Sequence, residues 1–477
     1  MSGDAHRVRR LLWRIKLGSP EEAFALRARL TRTVRTEILP EIERVFAELP
    51  SGDDLIQIER LGLTIRVADT DSLEQATVDA IRSDLPARLA NLAATPAGAS
   101  RSEIETQVRR ATARVSRLAS LLHYLETGTV PWYAEPSSSD LAYVKELEET
   151  AVSDMTAVLQ HLPVSPPATA VFLFRLLSLL PDAGWTSVVH AVARQRHRSE
   201  EPGVAEAIER IATAPERSSA RHARLELAAA IIAGWFASDA AASPAAAEKP
   251  TVSSDAQRLF DRLALPSRLA RPINSPRFSF TIPVDDVIAP DAIDDRHPAA
   301  SLSDQDRTFG VPVTYAGLVL LAPFLARLFA ARNVLHPGEK SLKGEALRRA
   351  AALLHFAAAA DHDGHEYELG LIKILLGVPI DQPILFASGI LSRGDREAVE
   401  TLLSDVVEHW RTIRPMSIDI LRESFLHRRG LLSEHRGSWH LRVEDAPIDS
   451  FLDHLPWSLT TLTMAWLPSP ITIEWPR

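Results

Sequence analysis

Apolar and polar positions alternate with two different periods along this 477-residue chain, and the period changes several times. Val8 and the run from Leu11 to Leu17 read as a short strand. Ser19-Pro20-Glu21-Glu22 then has the form of a helix start, with Ser19 as N-cap, Pro20 in the first turn and two acids at the positive helix end. Phe24, Leu26, Leu30, Val34, Ile38 and Leu39 follow at helical spacing, and Pro40 should kink or break that helix before Ile42, Val45, Phe46 and Leu49 continue it. Leu61, Leu63, Ile65 and Val67 alternate strictly, so Leu55 to Val67 predicts a half-buried strand. A helix from Asp71 to Leu92 completes a β-α-β-α module over residues 1–95.

After a loop at 93–101, a helix is expected from Ser102 to about Glu126, ending at Gly128 as C-cap with Pro131-Trp132 as a turn. Residues 96–237 read as a helical region whose amphipathic helices are separated by Pro163, Pro166-Pro167, Pro181 and Pro202-Gly203. Residues 238–308 are rich in Ala, Pro, Ser and Asp and read as a linker with one short helix near Asp255–Leu263. From 309 to 477 the chain is dense again, with helices expected at 316–333, 341–360, 367–376, 395–412 and 417–428. Trp439, Leu441 and Val443 then alternate with His440, Arg442 and Glu444, and Leu459, Leu462, Met464 and Ile471–Trp475 continue strand patterns. The fold class that results is α+β, predominantly helical, closing in a small antiparallel sheet packed on helices.

Composition narrows the function classes. The chain is 46% hydrophobic and 24% charged, an ordinary globular balance. With a net charge of −9 it lacks the phosphate-neutralising excess of a nucleic-acid binder. It has no cysteine, which removes disulfides, thiolate metal sites and cysteine nucleophiles. No signal peptide opens it, and the longest apolar run, Ala316 to Ala331, falls short of the roughly 20 residues of a spanning helix. A cytoplasmic product without membrane insertion is therefore expected.

Catalytic candidates are few. Asp361-His362-Asp363-Gly364-His365-Glu366 holds enough donors for a metal, but successive residues of one loop cannot all converge on an ion, so it reads as a solvated turn. Gly338 to Arg349 lacks the Gly-Lys-Ser/Thr order of a phosphate loop and reads as a helix start capped by Ser341. His6 with Arg7, Arg9, Arg10 and Arg14 reads as the polar face of a strand rather than an anion-binding arm. No G-x-S-x-G and no G-x-G-x-x-G occurs, and the paired acids sit where capping accounts for them. No cofactor, metal or catalytic residue is assigned. Trp410, Trp439, Trp457, Trp466 and Trp475 crowd the last 70 residues; exposed they would mark a partner surface, and buried they would form the core of a small sheet domain, the favoured reading.

The stretch VTYAGLVLLAPFLARLF, from Val313 to Phe329, resembles the hallmark segment of the contractile injection system tape measure protein family. The similarity continues in order through Arg348–Ala360, Tyr367–Ile384, His409–Leu432, Ser438–Glu444, Phe451–Trp466 and ITIEW; Ile58–Val67 and Leu125–Tyr133 resemble the family's N-terminal elements. The residues that carry it include Gly317, Leu318, Pro323, Phe324, Lys373, Gly377, Trp410, Trp439, Pro456, Trp457 and Trp475. Departures stand at Ala322, where the family often has a polar residue or His, and at Leu376, where it often has Cys; residues 135–305 carry no recognised motif. The resemblance implies a non-enzymatic structural component of a phage-tail-like particle that helps set tube and sheath length. Its implied partners are tube, sheath or baseplate proteins, met during cytoplasmic assembly or inside the particle. The alternatives are a soluble chaperone or cap of the same particle, and an enzyme with an unfamiliar site. A continuous helix of 477 residues would reach about 700 Å. Thirty-two prolines and the strand patterns at both ends preclude one.

Overall fold

A computed structural model of the chain describes residues 26, 29–30, 32–48, 54–58, 61, 63, 65, 72–93, 100–103, 106–134, 140–163, 165–195, 203–215, 220–237, 252–266, 269, 302, 306, 309–335, 339–360, 364–384, 390–414, 416–435 and 437–475. The expected strand at 8–17, the helix start at Ser19 and the basic cluster at 6–14 lie outside these residues. Two compact units divide the chain, Met1–Ala119 and Ser120–Arg477.

In the first unit a π-helical turn, Val34–Ile38, runs into helix α1, Leu39–Ala47, with Pro40 in its first turn. Pro40 therefore does not break the helix. Its ring would crowd the carbonyl four residues back, and the wider turn, closed by Leu39 N–H to the Val34 carbonyl, accommodates it. Strand β1 is Asp54–Ile58, and helix α2 is Leu73–Ala93. Ile81, Leu85 and Leu89, four residues apart, bury one stripe of α2 against Ile38, Ile42 and Val45.

Two expectations change in this unit. Of the strand predicted over Leu55–Val67, the described residues show β1, and Leu61, Leu63 and Ile65 lie outside any strand. The helix predicted from Ser102 begins only at Ala113; strands β2, Ser100–Glu103, and β3, Thr106–Thr112, precede it. The sheet is antiparallel in the order β1-β3-β2, with Leu55 opposite Ala111 and Ile58 opposite Val108. Thr106, Val108 and Thr112 are β-branched at even positions, a β-compatible pattern that prevails once β1 supplies a partner.

Helix α3, Ala113–Thr127, leads to α4 Asp140–Ser153, α5 Met155–Gln160, α6 Pro166–Leu179, α7 Trp185–Gln195, α8 Val204–Ala212 and α9 Ala220–Ala237. Apolar residues cover most of α6 and α9, which pack on each other through fully buried Phe172, Leu173, Leu176 and Leu177 and the run Leu227–Ile232. Helix α10, Ser254–Arg262, falls in the expected linker but packs on α9.

The C-terminal part begins with strand β4, Val311–Val313, and the 3-10 turn Ala316–Leu321. Helices α11 Ala322–Ala331, α12 Gly344–Ala359, α13 Gly370–Leu375, α14 Arg393–His409 and α15 Ile418–Leu421 follow. Helix α12 starts with Lys343, not Ser341, at its N-cap position. A π-turn, Arg422–Leu426, leads to β5 Gly430–His435 and β6 Ser438–Val443, and β7 Thr461–Leu462 and β8 Ile471–Glu474 complete a sheet in the order β4-β5-β6-β8-β7.

The sheet is mixed rather than antiparallel, because β6 and β8 run parallel while its other pairs are antiparallel. A parallel pair needs a crossover of a dozen residues or more, and residues 444–470, with a 3-10 turn at Pro447–His454, supply it. Trp410, Trp439, Trp466 and Trp475 are buried in the shared core, whereas Trp457 is half-buried. Among the described residues no helix is long and apolar enough to cross a membrane.

Candidate functional site

Arg175 sits in the apolar run PPATAVFLFRLLSL of α6, so folding that face inward carries its guanidinium into the core. A buried guanidinium must have its donors met. Its Nε and Nη2 donate to the two carboxylate oxygens of Glu366, at 3.1 and 3.0 Å, a bidentate pair across 191 positions of sequence. Nη1 donates to the carbonyls of Leu125 and Glu126 at 3.1 and 2.6 Å, and Nη2 also reaches the Asp381 carbonyl. Arg175 thus satisfies carbonyls in the last turn of α3, which that helix cannot satisfy itself.

Gly128 follows that turn with φ +71°, its N–H bonded to the Tyr124 carbonyl. A Cβ there would lie 2.4 Å from Glu366 Oε1 and 2.7 Å from Arg175 Nη2. Both the left-handed backbone and the ion pair therefore require glycine.

Lys373 on α13 joins from the other side. Its Nζ donates to Glu366 Oε1 at 2.7 Å and to the Ile380 carbonyl at 2.9 Å. Arg175 and Lys373 are 0% exposed and Glu366 is 1% exposed, so two cations share one buried carboxylate. Burial pushes the Lys373 ammonium below its ordinary pKa; Arg175 adds to that, and the Glu366 charge opposes it.

Three further buried carboxylates tie distant segments. Glu368 accepts from the Tyr315 hydroxyl at 3.0 Å and the His365 N–H at 2.7 Å, with His355 Nε2 at 3.8 Å. Burial raises the Glu368 carboxyl, but the neighbouring His355 ring and the His365 N–H outweigh it and hold it below the usual range. Asp395 caps α14 through Ser392 and takes Arg332 at 2.7 Å and Arg349 at 2.6 Å. Asp449 receives Arg428 at 2.8 Å. Each of the four carboxylates is engaged by donors from within the chain. What the arrangement does chemically is hold together segments that the sequence separates widely.

The signature positions take different places around this centre. A Cβ on Gly317 would lie 1.6 Å from the Phe425 carbonyl oxygen, so the 3-10 turn touches the π-turn backbone to backbone, while Leu318 beside it is buried. Gly377 has φ +74° and would place a Cβ 2.4 Å from the Trp466 carbonyl. Trp410 packs on Phe425 at 4.9 Å, and the Arg428 guanidinium lies over Trp475 at 5.9 Å. Trp439 is buried on β6. Pro323 and Pro456 are exposed, and the half-buried rings of Phe324 and Trp457 meet edge-on at 5.3 Å.

Lys373 alone of these positions enters the clamp. Arg175 was not among the candidate residues, because its only local signal is a lone cation in an apolar helix. Glu366, expected in a solvated turn, is buried because Arg175 and Lys373 meet it there. Of the polar cluster around it, Asp361, His362 and Asp363 lie outside the described residues, and His365 stacks on Tyr367.

No curated protein and no solved structure matches the chain. The family model described as contractile injection system tape measure protein matches residues 5–475, nearly the whole chain, and the protein therefore belongs to that family of structural, length-determining particle components.

Proposed function

We propose that the chain performs the family's length-setting role as folded units, without enzymatic activity, through contacts with tube, sheath or baseplate proteins of the particle. The observation that supports this most is the Arg175–Glu366–Lys373 clamp, which fastens the middle helices to the C-terminal segment within 120–477. A chain built as one extended helical ruler has no use for a buried ion cluster joining residues 191 apart. The buried carboxylates Glu366, Glu368, Asp395 and Asp449 are engaged in tying segments together. The half-buried Phe324 and Trp457 pair beside exposed Pro323 and Pro456 gives these partners an aromatic surface outside the clamp.

The test is tube and sheath length in purified particles, measured by electron microscopy. Insertions and deletions within 270–301 are expected to shift the mean length while leaving assembly intact. Unchanged length across the series, or absence of the protein from purified particles by mass spectrometry, overturns the reading; the latter outcome identifies an assembly factor.

A further inference from the structure

We propose that helix α10 is a detachable strap, docked on the middle helices and on α12, whose release lengthens the connection between Ala237 and Leu302. The proposal rests on the length-setting reading above and names the segment that supplies the length.

Helix α10 has nine residues, and it buries Ala256, Leu259 and Phe260 together with the flanking Val252, Leu265 and Leu269. Three polar ties hold it, each to a different helix. Glu226 on α9 accepts from the Ser253 N–H at 2.6 Å and the Ser253 hydroxyl at 2.5 Å. Asp255 lies 3.6 Å from Arg348 on α12. Arg210 on α8 donates to the Leu263 carbonyl. One short helix therefore bridges the middle helices and the C-terminal segment.

Its hosts have packing partners of their own. Helix α9 is packed on α6 by residues that α10 does not supply, and α12 is packed on α13 and α14. A nine-residue helix does not persist alone in water, so undocking also unwinds it. The principal tie is held at a cost. Burial drives the Glu226 carboxyl above its ordinary range, and the Ser253 hydrogen bonds offset only part of that. A segment fastened by end contacts around a few apolar anchors belongs to the low-stability end of a fold. Between Ala237 and Leu302 the chain has a contour of about 220 Å at roughly 3.4 Å per residue. Docked α10 pins that contour 17 to 25 residues after Ala237.

Hydrogen exchange by mass spectrometry on the full-length protein tests the strap. In Glu226→Ala, peptides covering 254–262 are expected to exchange at least about ten-fold faster than in the wild type, with 166–179 and 220–237 unchanged. Glu226→Gln keeps a carbonyl acceptor for the Ser253 N–H and should stay near the wild type. Asp255→Arg should open the strap, and Asp255→Arg with Arg348→Asp should close it again. If 220–237 and 254–262 exchange as one unit in every variant, or Glu226→Ala leaves 254–262 unchanged, the strap is refuted.

Particles assembled with Glu226→Ala are expected to differ in mean tube length. If insertions in 270–301 change that length and Glu226→Ala does not, this proposal falls and the length-setting reading stands. If neither changes it, the length-setting reading itself falls.

Discussion

Replacing Glu366 by Ala removes the one carboxylate shared by Arg175 and Lys373, both fully buried. The Arg175 Nη1 contacts to Leu125 and Glu126 survive, but its fork loses both charged acceptors, and Lys373 keeps only the Ile380 carbonyl. Breaking a buried pair from one side costs about 3–5 kcal/mol, because it strands charge in a medium that cannot solvate it. That is a large share of a total stability of about 5–15 kcal/mol.

Eight of the nine tryptophans lie within 120–477, so intrinsic fluorescence during urea unfolding reports on the unit that holds the clamp. At a urea m-value of about 3–4 kcal/mol/M, the midpoint should fall by about 1 M. Lys373→Met is the control. It removes the cation that burial already disfavours and leaves the bidentate Arg175–Glu366 pair matched one to one, so its cost should be about 2 kcal/mol or less. Combined with Glu366→Ala it should recover part of the loss, a coupling of about 1–3 kcal/mol between neighbouring sites. Unfolding of Glu366→Ala within about 1 kcal/mol of the wild type, or equal damage from Lys373→Met alone, would remove the clamp as a source of stability.

Two other substitutions probe the same unit. Gly317→Ala forces a methyl group to 1.6 Å from a backbone oxygen that cannot move without shifting the π-turn, so a loss of about 3 kcal/mol or more is expected by chemical denaturation, and a wild-type midpoint would contradict the close approach. Asp395 gives a pH signature: burial alone would raise its carboxyl, but Arg349, Ser392 and Arg332 outweigh burial and hold it well below the usual range. A depressed folded-state pKa contributes stability that is present above the unfolded value of about 4 and lost as pH falls through the folded one. Wild-type stability should therefore drop more steeply below about pH 4 than that of Asp395→Asn, and parallel pH profiles would remove Asp395 as the source.

Local pattern was enough for much of the fold. Sequence pattern located α2, expected over Asp71 to Leu92, and the C-terminal helices, since an amphipathic helix writes its buried face into its own sequence. Gly128 was legible as a helix end, and the order of signature segments pointed to the family that the match over 5–475 establishes. The sequence by itself thus determined the class, most helices and the family. Tertiary structure alone decided that 100–103 and 106–112 are paired strands rather than helix, because residues of that kind take the conformation for which a partner exists. It alone ran β6 and β8 parallel, since direction is set by the route of the crossover and not by alternation. And it alone joined Arg175 to Glu366: a buried charge is tolerable only beside its counter-charge, and a partner 191 positions away leaves no trace in any local period.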